Sequence, residues 1–106
     1  MKTYKVNSWG KEYEVCMSTG SRYSHGNNLA IQMYVADTWE PFATLTVNLD
    51  KKLPENQGYV DTNNCPWAED FIEKYGIGKF LNEYGRSGFC LYPLYEFDID
   101  RINGTD

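Results

Sequence analysis

Several features that mark particular classes of protein are missing from this sequence. No apolar run approaches the length of about 20 residues that a membrane-spanning helix needs. The first ten residues, MKTYKVNSWG, contain no long apolar stretch of the kind that forms the centre of a signal peptide. We therefore expect no membrane partner and a cytoplasmic location.

Positive charge is scarce. Ten Lys and Arg residues are scattered among fifteen acidic ones, which gives a net charge of −5 and a pI near 4.8. Proteins that bind nucleic acid through its phosphates carry a basic patch, so direct nucleic-acid binding is not expected. A protein partner with a basic surface fits the negative charge better than nucleic acid does, because complementary electrostatic fields speed the encounter of two proteins. The simpler alternative is that the acidic charge only aids solubility.

Cysteine and histidine are also few and far apart. Cys16, Cys65 and Cys90 are odd in number and widely spaced, and His25 is the single histidine. Disulfide frameworks use even numbers of cysteines, and zinc sites draw their ligands in close pairs such as C-x₂-C. The sequence therefore predicts reduced thiols, with no metal and no cofactor. Cys65 precedes a predicted helix, where thiol pKa values are often lowered, and this keeps a small enzyme among the alternatives.

What the sequence does contain is a dense aromatic content and clear alternation. Aromatic residues make up 16% of a chain of 106 residues, which suits one folded domain spanning 1–106. Apolar residues recur at every second position in several segments, as in half-buried strands. Consecutive strands with short connections favour an antiparallel sheet. The predicted strands cover 3–7, 11–18, 29–36, 43–49, 58–61 and 89–99.

The pattern changes between residues 66 and 75, PWAEDFIEKY. Ala68, Phe71, Ile72 and Tyr75 follow helical spacing on one side, and Gly76 can end the helix. Asn64 or Cys65 is the expected N-cap, residues 79–84 are read as a possible extra helical turn, and GRSG at 85–88 is read as a tight loop. The fold class predicted is α+β: an antiparallel β-sheet of four to six strands with one main α-helix packed on one face.

An acidic stretch near the end of the chain, YEFDIDR at 95–101, suggests a binding surface. Glu96, Asp98 and Asp100 alternate there with apolar residues, so on one strand face they would lie about 6.6–6.8 Å apart. Such a row of charge can occupy a Lys/Arg groove meant for DNA or guide RNA. The alternative is an exposed strand face whose charges prevent edge pairing. The proline at 93 suggests an edge strand or a bulge.

Exposed aromatic residues beside charges suggest a second patch. Trp39 and Glu40 lie in the predicted turn DTWEP, and Tyr95 precedes the acidic row. Aromatic residues in such positions are typical interface anchors. The alternative for Tyr95, as for Trp67, is that it completes the core of a small domain.

Three segments carry a resemblance to a known group of proteins. They resemble small proteins carried by phages, plasmids and conjugative elements of gut bacteria. The segments are DTNNCPWAEDFIEKYGIGK at 61–79, GRSGFCLYPLYEFD at 85–98 and NNLAIQMYV…EPFATLTVNLD within 27–50. The resemblance covers 27–98. That group has no established reaction or catalytic residue. Families of similar strand pattern from such elements include inhibitors of bacterial defence nucleases, among them anti-CRISPR proteins that block Cas9.

The function expected is therefore non-enzymatic. The leading hypothesis is a mobile-element-encoded inhibitor of a defence nuclease of the Cas9 type, acting in the bacterial host cell as a DNA mimic. Its binding residues would be Glu96, Asp98, Asp100, Trp39, Glu40 and Tyr95. The second hypothesis is an accessory module for the element's own replication or transfer machinery, and the third is a small cysteine- or carboxylate-based enzyme. Either a monomer or a homodimer fits the sequence.

Overall fold

The computed structural model describes residues 2–105, and half of them lie in two antiparallel sheets. The first sheet is a simple meander in which each strand pairs with the next one along the chain. Because its connections are short hairpins, two of its turns lie at the same end of the sheet. Its strands, in spatial order, are β1 (Tyr4–Ser8), β2 (Lys11–Arg22), β3 (Leu29–Val35) and β4 (Pro41–Thr44).

The second sheet has a different order, because its last two strands change places. The order is β5-β6-β8-β7, so the strand nearest the C-terminus lies inside the sheet and β7 lies at its edge. The elements that follow β4 along the chain are β5 (Thr46–Val47), β6 (Gln57–Val60), α1 (Ala68–Tyr75), β7 (Gly78–Ser87), β8 (Cys90–Phe97) and α2 (Ile99–Asn103).

The predicted fold class is wrong. The described chain is 50% strand and 12% helical, with two sheets of four strands and only short helices, instead of one sheet covered by one main helix. Two local readings caused the error. Residues 79–84, taken as a helical turn, belong to β7, and the single strand predicted at 43–49 is split into β4 and β5 at Leu45. That split lets the chain pass from one sheet to the other.

Leu45 joins the two sheets through its backbone. Its N–H donates to the carbonyl of Ile31 in the first sheet, at 2.9 Å, and its carbonyl accepts from the N–H of Asp61 beside the second, also at 2.9 Å. The Leu45 side chain is fully buried. One main core cluster therefore draws residues from both sheets and from both helices.

The helix α1 confirms the one-sided pattern that predicted it. Ala68, Phe71 and Ile72 are buried, and Gly76 ends the helix in a left-handed conformation with φ 61°. The expected N-cap is wrong, because Trp67 occupies that position and no side chain caps the helix.

Proline 93 lies in an interior strand, where proline is uncommon. The neighbouring strand β7 carries the irregularity that accommodates it. Phe80 pairs with Tyr95 and Tyr84 pairs with Pro93, so between these two pairs β7 contains two more residues than β8. Of the two alternatives raised by the proline, an edge strand is wrong and a bulge, here in the partner strand, is confirmed.

No helix within residues 2–105 is both long enough and apolar enough to cross a membrane.

Candidate functional site

The three acids of the predicted row do not lie on one strand. Only Glu96 belongs to β8, which ends at Phe97. Asp98 is the N-cap of α2 and its carboxylate accepts from the backbone N–H of Arg101 at 3.1 Å, while Asp100 lies in the first turn of that helix. The regular row of charge along a strand face is therefore wrong, because the chain turns into a helix where the alternation seemed to continue. The edge-strand alternative is also wrong, since β8 is an interior strand.

The three acids nevertheless surround one surface depression of about 610 Å³. Glu96 lies across the sheet from Lys79, which also lines the depression. Asp98 is already engaged in capping. The depression thus contains a nearby cation and a carboxylate with a structural role, which makes it a weaker match for a basic partner than the row would have been.

Tyr95 is a core residue. Only 6% of its surface is exposed, and its ring stacks near Phe97 with centroids 6.2 Å apart. Its hydroxyl donates to Glu69 Oε2 at 2.7 Å, which ties β8 to α1. Burial, followed by this hydrogen bond, raises the pKa of Tyr95. The core alternative for Tyr95 is confirmed, and its ring does not offer the exposed anchor that was predicted.

Trp39 and Glu40 are neighbours in the chain but line different depressions. Both lie in the turn between β3 and β4, where the N–H of Trp39 donates to the Val35 carbonyl at 2.8 Å. Trp39 is 55% exposed and lines a depression of about 580 Å³ beside Tyr34. Glu40 instead lines a larger groove of about 810 Å³. The second predicted patch is thus divided between two sides of one turn.

The larger groove lies at the end of the first sheet where two hairpin turns meet. One wall is the turn between β1 and β2, the other is the turn between β3 and β4, and Trp67 closes the side towards α1. We call this the tip groove. Its aromatic and charged lining residues are Trp9, Lys11, Glu12, Tyr13, Glu14, Asp37, Glu40, Phe42 and Trp67.

Aromatic rings in contact with one another line part of the tip groove. The ring of Phe42 lies 5.0 Å from that of Tyr13 and 5.8 Å from that of Trp67. Trp67 in turn contacts Phe71 of the core at 5.8 Å. Because each ring is held by the next, the rings form a pre-organised surface continuous with the core.

The charge of the tip groove is mostly negative. Glu12, Glu14, Asp37 and Glu40 are all exposed, against the single cation Lys11. Within residues 2–105, the ion pairs found join Arg22 to Glu55 and His25 to Asp50, so none involves these four carboxylates. Exposed carboxylates that have no cationic partner favour the approach of one.

The one cation in the tip groove shows how it accommodates positive charge. The ammonium of Lys11 lies over the ring of Tyr13, 5.1 Å from its centroid. A cation within about 6 Å of an aromatic centroid is attracted by the electron-rich face of the ring. Aromatic rings with carboxylates beside them are suited to hold Lys or Arg side chains of a partner.

Two exposed tryptophans mark the turns at this end of the sheet. Trp9 is 94% exposed and has φ 55°, and Trp39 has φ 61°. The remaining non-glycine residues with positive φ among those described are Asn27 and Asn82. Asparagine tolerates this conformation, whereas tryptophan is strained in it. Strain at an exposed large side chain is a feature associated with binding sites.

The sequence did not predict a site at Trp9, Glu12, Glu14 or Asp37. A signal was present, because Gly10 after Trp9 predicts a hairpin tip and the alternation of KEYEV turns Glu12 and Glu14 away from the core. No local pattern, however, predicts that the two hairpin tips lie side by side.

Cys65 does not have the properties of a nucleophile. It is 2% exposed, and its thiol lies 3.8 Å from the carbonyl oxygen of Thr44. Burial, with a smaller contribution from Asp61, raises the pKa of Cys65 to about 11. The lowered pKa considered from the sequence is wrong, because the residue lies before the helix in the core. Among residues 2–105, no three His, Cys, Asp or Glu side chains come together as a metal site.

Taken together, the fold and this site define a small two-sheet β-protein with an acidic and aromatic groove at one end. The chain belongs to the family described as a domain of unknown function, DUF4313, whose model matches residues 16–106. Neither a curated protein nor a solved structure gives a significant match.

Proposed function

We propose that this protein is a non-enzymatic binding module that engages a basic surface of a protein partner through the tip groove. The observation that carries the proposal is the combination of four exposed carboxylates with a line of aromatic rings that already holds one ammonium. Groups of this kind recognise Lys and Arg side chains. The groove takes the place of the strand row Glu96–Asp98–Asp100 as the main contact surface.

The class of partner proposed is a nucleic-acid enzyme whose basic groove is normally occupied by DNA or RNA. A protein with net charge −5 and four exposed carboxylates in one groove is attracted to such a basic groove. The resemblance of residues 27–98 to proteins of phages, plasmids and conjugative elements supports a bacterial defence nuclease of the Cas9 type. The protein would then act as a mobile-element-encoded inhibitor, as an anti-CRISPR protein does.

The experiment that tests this function mixes the purified protein with guide-loaded Cas9-type effectors. Binding and cleavage of target DNA are measured at low and at moderate salt. Loss of DNA binding at low salt, relieved at moderate salt, is the expected result, because contacts between exposed charges are screened by salt. Lost cleavage with DNA still bound would overturn the competition mechanism.

A pair of charge-matched variants tests the tip groove itself. Glu12→Lys with Glu14→Lys changes two carboxylates of the groove. Glu96→Lys with Asp100→Lys makes the same change of net charge at the other depression, which shares no lining residue with the groove. We expect the first variant to weaken effector binding by at least about tenfold and the second by less than about threefold. Equal losses would show that net charge, not the groove, governs binding.

If the protein inhibits neither DNA binding nor cleavage by any effector, the proposed target is wrong and the accessory-module hypothesis becomes the leading one. That hypothesis predicts that the tagged protein co-purifies with replication or transfer proteins of the element that encodes it. The same two charge variants then apply, because only the groove variant should lose its binding to a basic partner of either kind.

A further inference from the structure

The long uncovered edge of the second sheet is β7. In the order β5-β6-β8-β7, this strand pairs only with β8. The other sheet edges are short or blocked: Lys5 of β1 donates its N–H to the hydroxyl of Tyr75 at 2.9 Å, β4 has four residues beginning at Pro41, and β5 has two. Among residues 2–105, β7 with its ten residues is therefore the edge best able to accept another strand.

Pro93, which lies opposite β7 in β8, determines which backbone groups of β7 point outwards. Tyr84 pairs with Pro93, and proline has no N–H to give. A hydrogen-bonded antiparallel pair exchanges two N–H···O bonds, so this pair must be of the non-hydrogen-bonded type. By alternation, Tyr84 and Arg86 direct their N–H and C=O groups away from β8, towards the open side.

The same end of the hairpin exposes large apolar side chains. Tyr84 is 59% exposed, Leu91 is 52% exposed and Phe89 at the turn is fully exposed. Tyr84 also contacts Phe80, with ring centroids 5.5 Å apart, and Phe80 contacts Tyr95 of the core at 5.6 Å. Tyr84 thus continues an aromatic row that begins inside the protein.

We infer that β7 pairs with β7 of a second copy, antiparallel and centred on Gly85. In this register Tyr84 of each copy lies opposite Arg86 of the other, and both residues offer the backbone groups that such a pair needs. Four N–H···O bonds would then join the copies. The second sheets of the two copies become one sheet of eight strands, and residues 83–87 of each β7 are covered by the other copy.

The side chains of this segment complement themselves under two-fold symmetry. Tyr84 and Arg86 are two residues apart and share a face, since they lie opposite Pro93 and Leu91 of β8. A two-fold axis at Gly85 therefore brings each guanidinium beside the other copy's tyrosine ring, which makes two cation–π contacts. An isologous interface requires this kind of self-complementarity.

The acidic side of α1 supplies a further match on the same face. Glu69 accepts a hydrogen bond from Tyr95, whose ring lies beside Phe80, so this carboxylate borders the aromatic row. Arg86 of the second copy would lie beside Tyr84, at the outer end of this row, so its positive charge is on the same side of the sheet as Glu69. A foreign strand would also need a correctly placed cation, whereas a second copy already carries one.

The test measures the mass of the protein by sedimentation velocity and light scattering across roughly 5 to 500 µM. We expect the mass to rise with concentration from that of the 12.3 kDa chain towards twice that value. Arg86→Pro removes an outward N–H without removing a bond to β8, and Tyr84→Ser removes the ring. Each should raise the dissociation constant of the dimer by at least about tenfold.

Trp9→Ser is the matched control, because it removes an exposed aromatic residue from a turn of the first sheet and should leave the dimer unchanged. A protein that stays monomeric throughout the range overturns the inference. So does a dimer that survives both β7 variants or that dissociates on Trp9→Ser. If Arg86→Pro proves unstable by circular dichroism, Tyr84→Ser alone decides, since its side chain is exposed.

Discussion

Single residues in the turns at the tip groove hold backbone conformations that cost stability. Trp9 and Gly10 form the two-residue loop between Ser8 and Lys11, and both have positive φ, as a type I′ turn requires. The side chain of Trp9 is almost wholly exposed, so little burial offsets the strain. Selection for stability alone would place asparagine there.

Replacing Trp9 by asparagine should therefore stabilise the protein. We expect Trp9→Asn to raise the free energy of unfolding by about 1 kcal/mol, measured by urea unfolding, because Asn-Gly is the preferred sequence for this turn. Trp9→Phe keeps a bulky ring at the same φ and should change stability little. Destabilisation by Trp9→Asn would mean that the exposed indole makes stabilising contacts in the folded state.

The thiol of Cys65 provides a pH-dependent prediction. Its pKa is raised from 9.0 to about 11, so the folded state keeps the proton that the unfolded state loses. The stabilisation is fully present below pH 9 and is lost as pH rises towards 11, by an amount on the order of 2 kcal/mol. Cys65→Ala should flatten this part of the profile of unfolding free energy against pH.

Cys90→Ala is the control for that measurement, because Cys90 is half-buried near the hairpin turn and lies outside the main core. A wild-type profile identical in slope to that of Cys65→Ala between pH 9 and 11 would contradict the prediction. Reaction with a thiol reagent at neutral pH should also be slow at Cys65, since the thiol is buried and protonated.

At the scale of elements, the packing of the Tyr59 ring of β6 against β7 depends on one glycine. A Cβ atom at Gly85 would lie 2.5 Å from Leu49 Cδ1 and 2.6 Å from Tyr59 Cε1. Residue 85, read from the sequence as part of a loop, is instead the place where the ring of Tyr59 packs on the strand. No turn conformation is involved.

Gly85→Ala should destabilise the protein by about 1–3 kcal/mol, because the added methyl group overlaps a ring and a branched side chain in the second core cluster. Gly20→Ala is the matched control in β2. Nothing lies within 4 Å of a Cβ atom placed there, and alanine is more stable than glycine inside a strand. Thermal unfolding of both variants gives the comparison, and equal melting temperatures would refute the packing argument.

At the scale of the whole molecule, the two ends of the described chain are packed together. The hydroxyl of Tyr4 donates to the carbonyl of Ile102 at 2.9 Å, and the Ile102 side chain is 2% exposed in the main core. Helix α2 is too short to be stable alone, so these contacts hold it. Its capping residue Asp98 was read from the sequence as part of a binding surface.

Truncating Ile102 tests how far the main core depends on the C-terminal helix. We expect Ile102→Ala to lower the free energy of unfolding by about 2–4 kcal/mol, the usual cost of such a cavity. Ile99→Ala, one turn earlier and only half-buried, should cost clearly less in the same urea titration. A loss at Ile102 no larger than that at Ile99 would show that α2 contributes little to the core.

Much of the local structure could be predicted from alternation and spacing. Val15 and Met17 in β2, and Leu29, Ile31 and Met33 in β3, are buried as the alternation predicts, but Cys16 and Ala30 on the opposite faces are buried too. The buried side of α1 follows from its helical spacing. The predictions were wrong where a local pattern fitted both a strand and a helix. An irregular segment around Asn82 breaks the alternation of β7, so the sequence of this strand resembles a helical turn.

The candidate site was only partly predictable for the same reason. Trp39 and Glu40 were identified as exposed turn residues, but nothing in their local sequence shows that they line separate depressions. Glu96, Asp98 and Asp100 alternate in sequence, yet the strand ends at Phe97 and the aspartates serve a helix. Alternation predicts a shared face only while the strand continues.

The sequence by itself determined the acidic charge, the positions of most strands, the one-sided helix α1 and the turn residues. These features depend on neighbours within a few positions, where periodicity and backbone preference act directly. Only the tertiary structure decided that β8 lies inside its sheet, that Leu45 joins two sheets and that two hairpin tips enclose one groove. Those features depend on contacts such as Thr46 with Val60 and Tyr4 with Ile102, whose partners are far apart in the chain and are chosen by packing of the whole core.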